Sequence, residues 1–186
     1  MLILIGIVGT NAKESTNRKL LEYIKENMSE FSFEILEISH LPIMEISDDI
    51  PSVVQEFAAS IEKSDGVIIA APEYDHAPTA ALLNALAWMS YQIHPLNQKP
   101  VLTINATYGS LGSPRSQNIL KDVLSSPAIN AKLTNLEYIL PKSIDAFNDT
   151  SLPINEAEKL NQTIAQFLAF INGDSLDETN EWDGIL

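Results

Sequence analysis

LILIGIVGTNAKESTNR, residues 2–18, is the stretch from which the architecture of this chain follows. An apolar run over residues 2–8 leads into a loop of small hydrogen-bonding residues and then into a helical pattern. This order predicts a buried parallel strand, a loop and a helix, whose free backbone N–H groups can hold an anion beyond the carboxyl edge of the sheet. The side chains that could add donors for a phosphate are Thr10, Asn11, Ser15, Thr16 and Asn17. The alternative is an ordinary loop in which Ser15 caps the helix.

Composition limits the classes of protein to which the chain can belong. Its 186 residues, 45% hydrophobic and 19% charged, predict a single domain over residues 1–173, followed by an acidic tail, residues 174–186, that we expect to be mobile. A net charge of -14 argues against nucleic acid or an anionic membrane as a partner. The absence of cysteine excludes disulfides, thiolate catalysis and zinc-thiolate sites.

No targeting segment is expected at the start of the chain. Residues 2–8 lack a preceding basic region and a following cleavage site, so we interpret them as a first strand and not as a signal peptide. Because no later apolar run approaches membrane length, we expect a cytoplasmic protein.

Strand and helix patterns alternate along the whole chain. Apolar runs predict five strands, at residues 2–8, 31–38, 67–71, 99–106 and 133–140. Helical spacing predicts five helices, one ending near residue 29 and the others at residues 53–61, 79–90, 114–124 and 154–171. Right-handed crossovers then give an α/β fold with a doubly wound five-stranded parallel sheet, flavodoxin-like, in the strand order 2-1-3-4-5.

The third helix, within residues 78–92, is apolar on nearly every side. Five large side chains leave it no polar face: Leu82, Leu83, Leu86, Trp88 and Met89. Since one sheet covers only one side of a helix, we expect a second copy of the chain to bury the remainder, in a homodimer or a tetramer built from dimers.

In the predicted strand order, the loops after the first, third and fourth strands meet at the point where the chain reverses direction across the sheet. These loops are rich in Gly, Pro, hydroxyl and amide residues: residues 10–18 (TNAKESTNR), 72–78 (PEYDHAP) and 107–115 (TYGSLGSPR). A ligand is expected where they converge.

In the second loop, Pro72 and the backbone around Glu73 and Tyr74 can lie against a flat heteroaromatic ring, or form a plain turn. Glu73 is more readily a helix cap than a general base. A lone His76, with no second ligand at a suitable spacing, does not predict a metal site.

In the third loop, Gly109 and Gly112 allow close approach of a ligand to the backbone, and Ser113-Pro114 begins a helix. Arg115 in its first turn opposes the helix dipole, which indicates either an anionic partner or a simple surface residue. We assign His76 and Arg115 as candidate substrate-binding residues.

Three stretches together resemble a known family: residues 9–21 (GTNAKESTNRKLL), 72–88 (PEYDHAPTAALLNALAW) and 108–120 (YGSLGSPRSQNIL). They are similar to the signatures of the NADPH-dependent FMN reductases, which are flavodoxin-like proteins. The resemblance implies FMN as the cofactor, NADPH or NADH as the electron donor, and a small-molecule electron acceptor such as a quinone, an azo compound, a metal ion or free flavin. No side chain would then be needed as a catalytic acid or base, because the flavin carries the chemistry.

The resemblance also implies roles for individual residues. The FMN phosphate would be bound by Thr10, Ser15 and Asn17. The isoalloxazine ring would lie along Pro72, Glu73, Tyr74 and Asp75. Its far side would be contacted by Tyr108, Gly109 and Ser110.

The chain departs from the family pattern at several positions. Ala12 stands where the family usually has Arg, and Asp75 stands where it usually has Asn. In the third helix, the usual Lys and Asp are replaced by Leu83 and Ala87, and a Pro-Gly pair by Thr79-Ala80.

Other functions fit the sequence less well. A serine hydrolase with Ser110 as nucleophile would need a later histidine, and none follows Ser110. A flavodoxin-type electron carrier, which binds FMN without acting as an enzyme, is the stronger alternative.

Overall fold

The computed structural model describes residues 1–47, 49–110, 112–147 and 152–173. Within these residues the strands, in chain order, are β1 (Leu2–Val8), β2 (Phe31–Glu37), β3 (Gly66–Ala70), β4 (Glu73–Tyr74), β5 (Ala77–Pro78), β6 (Pro100–Ala106) and β7 (Lys132–Leu140). Five of them form one parallel sheet in the order β2-β1-β3-β6-β7, and β4 pairs with β5 in a separate antiparallel hairpin. This order confirms the predicted flavodoxin-like sheet.

Helices connect the strands. In the described part of the chain they are α1 (Thr16–Asn27), α2 (Ser52–Glu62), α3 (Ala80–Trp88), α4 (Pro114–Ser125), α5 (Ser143–Ala146) and α6 (Ile154–Asn172). The boundaries of the predicted strands and helices agree with these to within two residues. The hairpin and the short α5 were not predicted, and the predicted acidic tail lies outside the described residues. No helix among the described residues is both long enough and apolar enough to cross a membrane.

The core has two halves, one on each face of the sheet. The strands β1, β3 and β6 are buried on both faces, as expected for central parallel strands. On one face, the sheet packs against residues of α1 and α6, including Leu20, Leu21, Leu160 and Phe167. On the other face, it packs against residues of α2, α3 and α4, including Phe57, Leu82, Leu86 and Leu120.

The apolar surface of α3 is covered by its own chain. Four of its five large side chains are buried: Leu82, Leu86, Trp88 and Met89. The loop after β2 crosses the helix, where the Asn84 side chain donates to Pro42 O (2.9 Å) and accepts from Met44 N–H (2.7 Å). Trp88 Nε1 also donates to Pro42 O (2.9 Å). The expectation that a second subunit must bury these side chains is therefore wrong, and the predicted homodimer or tetramer loses that argument.

Candidate functional site

A cleft opens at the carboxyl edge of the sheet, between β1 and β3, where the chain reverses direction. Residues from all three predicted loops line it: Glu14, Ser15, Thr16, Asn17, Pro72, Glu73, Tyr74, Ala106, Thr107 and Tyr108. Its volume is about 140 Å³. Glu14, Ala106 and Thr107 were not singled out from the sequence, although the last two stand directly at the end of a buried strand.

The first loop presents free backbone donors. Ser15 is the N-cap of α1, and its hydroxyl accepts from Arg18 N–H at 3.4 Å. Within the described residues, the backbone N–H groups of Lys13, Glu14 and Ser15 donate to no protein acceptor. Together with the first N–H groups of α1, which have no carbonyl partner within the helix, they form an arrangement that can accept an anion.

Thr16 and Asn17 line the cleft but also hold the structure together. Asn17 is buried, and its side chain donates to Ala106 O (2.8 Å) and accepts from Ala106 N–H (2.9 Å). The Thr16 hydroxyl accepts from the Ser143 hydroxyl at 2.8 Å. These bonds fix the start of α1 against the end of β6 and against α5. The Asn17 amide nitrogen carries two protons, and only one of them is donated to Ala106 O. The other is available to a ligand.

Thr10 and Asn11 do not line the cleft. Thr10 is fully buried behind Tyr74, and the two hydroxyls share a hydrogen bond of 3.2 Å. Thr10 therefore orients the Tyr74 ring that lines the cleft. Asn11 is exposed and faces a neighbouring depression, which it shares with Ile38 and Ala80.

The second loop is a hairpin with a tight two-residue turn. Glu73 pairs with Pro78 and Tyr74 pairs with Ala77. The intervening Asp75 (φ 50°) and His76 (φ 65°) are both left-handed, as a type I′ turn requires. Asp and Asn are the non-glycine residues that adopt this conformation most readily. Asp75 can therefore form the same turn as the Asn that is usual in the resembled family.

Glu73 caps α4. Its Oε2 accepts from Ser116 N–H at 3.0 Å, and the Ser116 hydroxyl donates to Pro72 O at 3.4 Å. The other carboxylate oxygen lies 3.5 Å from His76 Nδ1, and the His76 side chain is 70% exposed. The helix-cap interpretation of Glu73 accounts for its position without a role as general base.

The third loop contributes Tyr108 to the cleft, with 65% of this residue exposed. Gly109 and Ser110 are exposed and lie beyond the cleft lining, where Gly109 O accepts from Lys142 N–H. Arg115 is exposed on the first turn of α4, also outside the lining. Asp75 and His76 likewise stand on the hairpin turn, outside it.

A buried polar network supports the cleft from below. Asn105 Nδ2 donates to Ala71 O (2.5 Å), and the Ser113 hydroxyl donates to Asn105 Oδ1 (3.2 Å). Both side chains are buried. This network was not predicted from the sequence. The signal for it is a polar Asn105 inside an apolar strand, because a buried amide requires hydrogen-bond partners.

Comparison with known proteins gives a consistent result. The family model described as NADPH-dependent FMN reductase matches residues 2–143. The chain is 41% identical to a protein of Vibrio ruber named NADH:(hydroxy)cinnamate reductase subunit CrdA, over 89% of this chain and 85% of that protein. It is 31% identical to NADH-dependent flavin reductase subunit 2 of Lactobacillus johnsonii, over 90% of this chain and 95% of that protein.

The fold is shared with a solved flavoenzyme. The structure of FerB, an NAD(P)H:(acceptor) oxidoreductase from Paracoccus denitrificans, superposes with a TM-score of 0.82 and 24% identity, covering 95% of this chain and 100% of that chain. Because the sequence identity is only 24%, this similarity is evidence for the fold alone. The family match and the relatives carry the assignment and confirm the resemblance seen in the three loops. The chain therefore belongs to the NADPH-dependent FMN reductase family and is an FMN-binding, NAD(P)H-dependent oxidoreductase.

Proposed function

We propose that the chain transfers two electrons from NADPH or NADH, by way of FMN in the cleft, to a small organic acceptor such as a flavin, a quinone or an azo compound. The observation that carries the proposal is the convergence of the three loops on one cleft at the switch point of the sheet. For a quinone the reaction balances simply: one NAD(P)H and one proton supply a hydride and a proton, which give NAD(P)⁺ and the hydroquinone.

The residues of the cleft fit FMN in two respects. The free N–H groups of Lys13, Glu14 and Ser15 supply neutral donors for a phosphate, together with the dipole of α1. The two exposed aromatic side chains, Tyr74 and Tyr108, supply surfaces for a planar ring. We place the phosphate end in the cleft beside the start of α1 and the ring along the open side of the cleft, between Tyr74 and Tyr108.

The proposed contacts follow from this orientation. The phosphate end is assigned to Ser15, Thr16 and Asn17, with Thr10 and Asn11 as supports of the loop. The ring is assigned to Pro72, Glu73, Tyr74 and Asp75 on one side and to Tyr108, Gly109 and Ser110 on the other. His76 and Arg115 are assigned to the nicotinamide nucleotide or the acceptor, because both are exposed.

Bound FMN supplies the redox chemistry, by accepting a hydride from the nicotinamide and reducing the acceptor. The protein binds and orients the reactants. Glu73, which lines the cleft, is already engaged with Ser116 N–H, and we assign no catalytic acid or base to the cleft.

A second candidate is transfer of electrons to another protein. The relatives from Vibrio ruber and Lactobacillus johnsonii are both named as subunits, which supports a carrier role within a larger assembly. Such a carrier would reduce small acceptors negligibly by itself.

One purified sample separates these functions. The absorbance spectrum should show a flavin, and chromatography of the cofactor released by heat should identify it as FMN. Oxidation of NADPH and of NADH is then followed with benzoquinone and with free FMN as acceptors. Steady turnover supports the enzyme, FMN binding without turnover supports the carrier, and failure to bind FMN would overturn both.

A further inference from the structure

The side chain of Arg18 binds the backbone carbonyls of the first loop. Its Nη1 donates to Ala12 O (2.9 Å) and to Lys13 O (2.7 Å). Its Nε and Nη2 donate to the two carboxylate oxygens of Glu37, at 2.5 and 2.9 Å. One planar guanidinium therefore joins two consecutive peptide groups of the loop to the last residue of β2, in a geometry that lysine cannot reproduce.

This contact sets the direction of the loop's donors. In a planar trans peptide, the N–H points opposite to the carbonyl of the same peptide group. Since the Ala12 and Lys13 carbonyls point toward Arg18, the N–H groups of Lys13 and Glu14 point away from it. These are two of the N–H groups that lack a protein acceptor within the described residues.

Arg18 and the cleft lie on different sides of the loop. The guanidinium lines a groove between α1 and β2, which it shares with Glu22, Lys25, Glu26, Ile35 and Glu37. Glu14 and Ser15, by contrast, line the cleft. The Arg18 charge is paired with Glu37. The hydrogen bond to Glu37 raises the pKa of the Arg18 guanidinium, and burial acts in the opposite direction. The side chain therefore remains a fixed cation that acts on the loop and not directly on a ligand.

We propose that Arg18, anchored by Glu37, is the positioning residue of the phosphate loop: it fixes residues 12–14 so that the N–H groups of Lys13 and Glu14 face the FMN phosphate. The inference rests on the FMN site proposed above.

The test compares two ligands that differ only in the phosphate. FMN and riboflavin are titrated into flavin-free protein, and the quenching of flavin fluorescence gives both dissociation constants. The variants are Arg18→Ala, Arg18→Lys and Glu37→Gln. Lys25→Ala is the matched control, because Lys25 lines the same groove and carries the same charge without a bond to the loop.

We expect Arg18→Ala to weaken FMN binding about tenfold or more, which corresponds to about 1.4 kcal/mol, and to change riboflavin binding less than about twofold. Arg18→Lys should fall between wild type and Arg18→Ala, since one ammonium cannot hold two carbonyls and a carboxylate in a plane. Lys25→Ala should leave the ratio of the two affinities unchanged.

An equal loss of affinity for both flavins would mean that Arg18 only stabilises the fold, and would overturn the inference. An unchanged ratio in every Arg18 and Glu37 variant would do the same. If Arg18→Ala does not fold, Arg18→Lys and Glu37→Gln carry the same comparison. Wild-type protein that does not bind FMN would overturn the proposed function itself, which is a different result from normal FMN binding with no effect of Arg18.

Discussion

Replacing Asn17 with alanine should destabilise the protein even when no FMN is present. The Asn17 amide makes two buried hydrogen bonds with the backbone of Ala106, at 2.8 and 2.9 Å. Alanine would leave the Ala106 N–H and C=O unpaired, and each buried unpaired group costs about 1–3 kcal/mol. Alanine favours a helix over asparagine by about 0.5 kcal/mol, which offsets a small part of this. The expected loss is about 2–5 kcal/mol, a large share of the stability of an ordinary domain.

The measurement is urea unfolding of FMN-free wild-type and Asn17→Ala protein, followed by circular dichroism. The midpoint should fall while the slope stays the same, because the surface exposed on unfolding does not change. Asn161→Ala is the matched control, since Asn161 is exposed on α6 and the substitution should be neutral or slightly stabilising. A loss below about 0.5 kcal/mol in Asn17→Ala would refute the structural role, and would leave Asn17 only its proposed contact with the phosphate.

Three further predictions concern the ligand and the pH. Ala12→Arg should tighten FMN binding about tenfold or more in calorimetry, since a hydrogen bond to a charged group contributes about 1.5–3 kcal/mol; a neutral result, with affinity lost in Lys13→Ala, would mean that Lys13 already supplies the charge. FMN should raise the melting temperature more than FAD at equal concentration, because we expect the loop to surround a terminal phosphate; equal shifts would contradict this. Burial raises the pKa of Tyr138, whose hydroxyl donates to Glu156 O at 3.2 Å, so above about pH 10 the unfolded state releases a proton that the folded state keeps. Above that pH, Tyr138 should lower the free energy of unfolding by about 1.4 kcal/mol for each pH unit. Urea titrations between about pH 9 and 11 should show this fall in wild type, and Tyr138→Phe should lack this contribution.

The sequence was sufficient for the sheet and the main helices because their signals are local. Apolar runs such as residues 67–71 are typical of buried strands, and amphipathic spacing marked the helices between them. The hairpin was missed for an equally local reason. Its strands are two residues long, and its turn is Asp75-His76 in place of the Asn-Gly or Asp-Gly pair that usually signals a type I′ turn.

The loops of the candidate site were predictable, but their internal bonds were not. Asn17 meets Ala106, which is 89 residues away, and Glu73 meets Ser116, which is 43 residues away. Such pairs depend on how the elements pack, which a single sequence does not encode in any local pattern.

The sequence of α3 contains a signal that a loop covers this helix. Asn84 and the indole N–H of Trp88 lie in an otherwise apolar helix and need hydrogen-bond partners when buried. Pro42 O, in the loop after β2, accepts from both. A polar atom on an apolar helix thus indicates a covering loop as readily as a second subunit.

The left-handed turn of the hairpin restricts how this site can be redesigned. At positions 75 and 76, a mutant library would lose most β-branched and bulky residues through backbone strain before any effect on FMN could be measured. Tyr108 carries no such restriction, because it is 65% exposed, lines the cleft and has an ordinary backbone conformation. Engineering of the acceptor range should therefore begin at Tyr108, where each new side chain is sampled on an unchanged backbone.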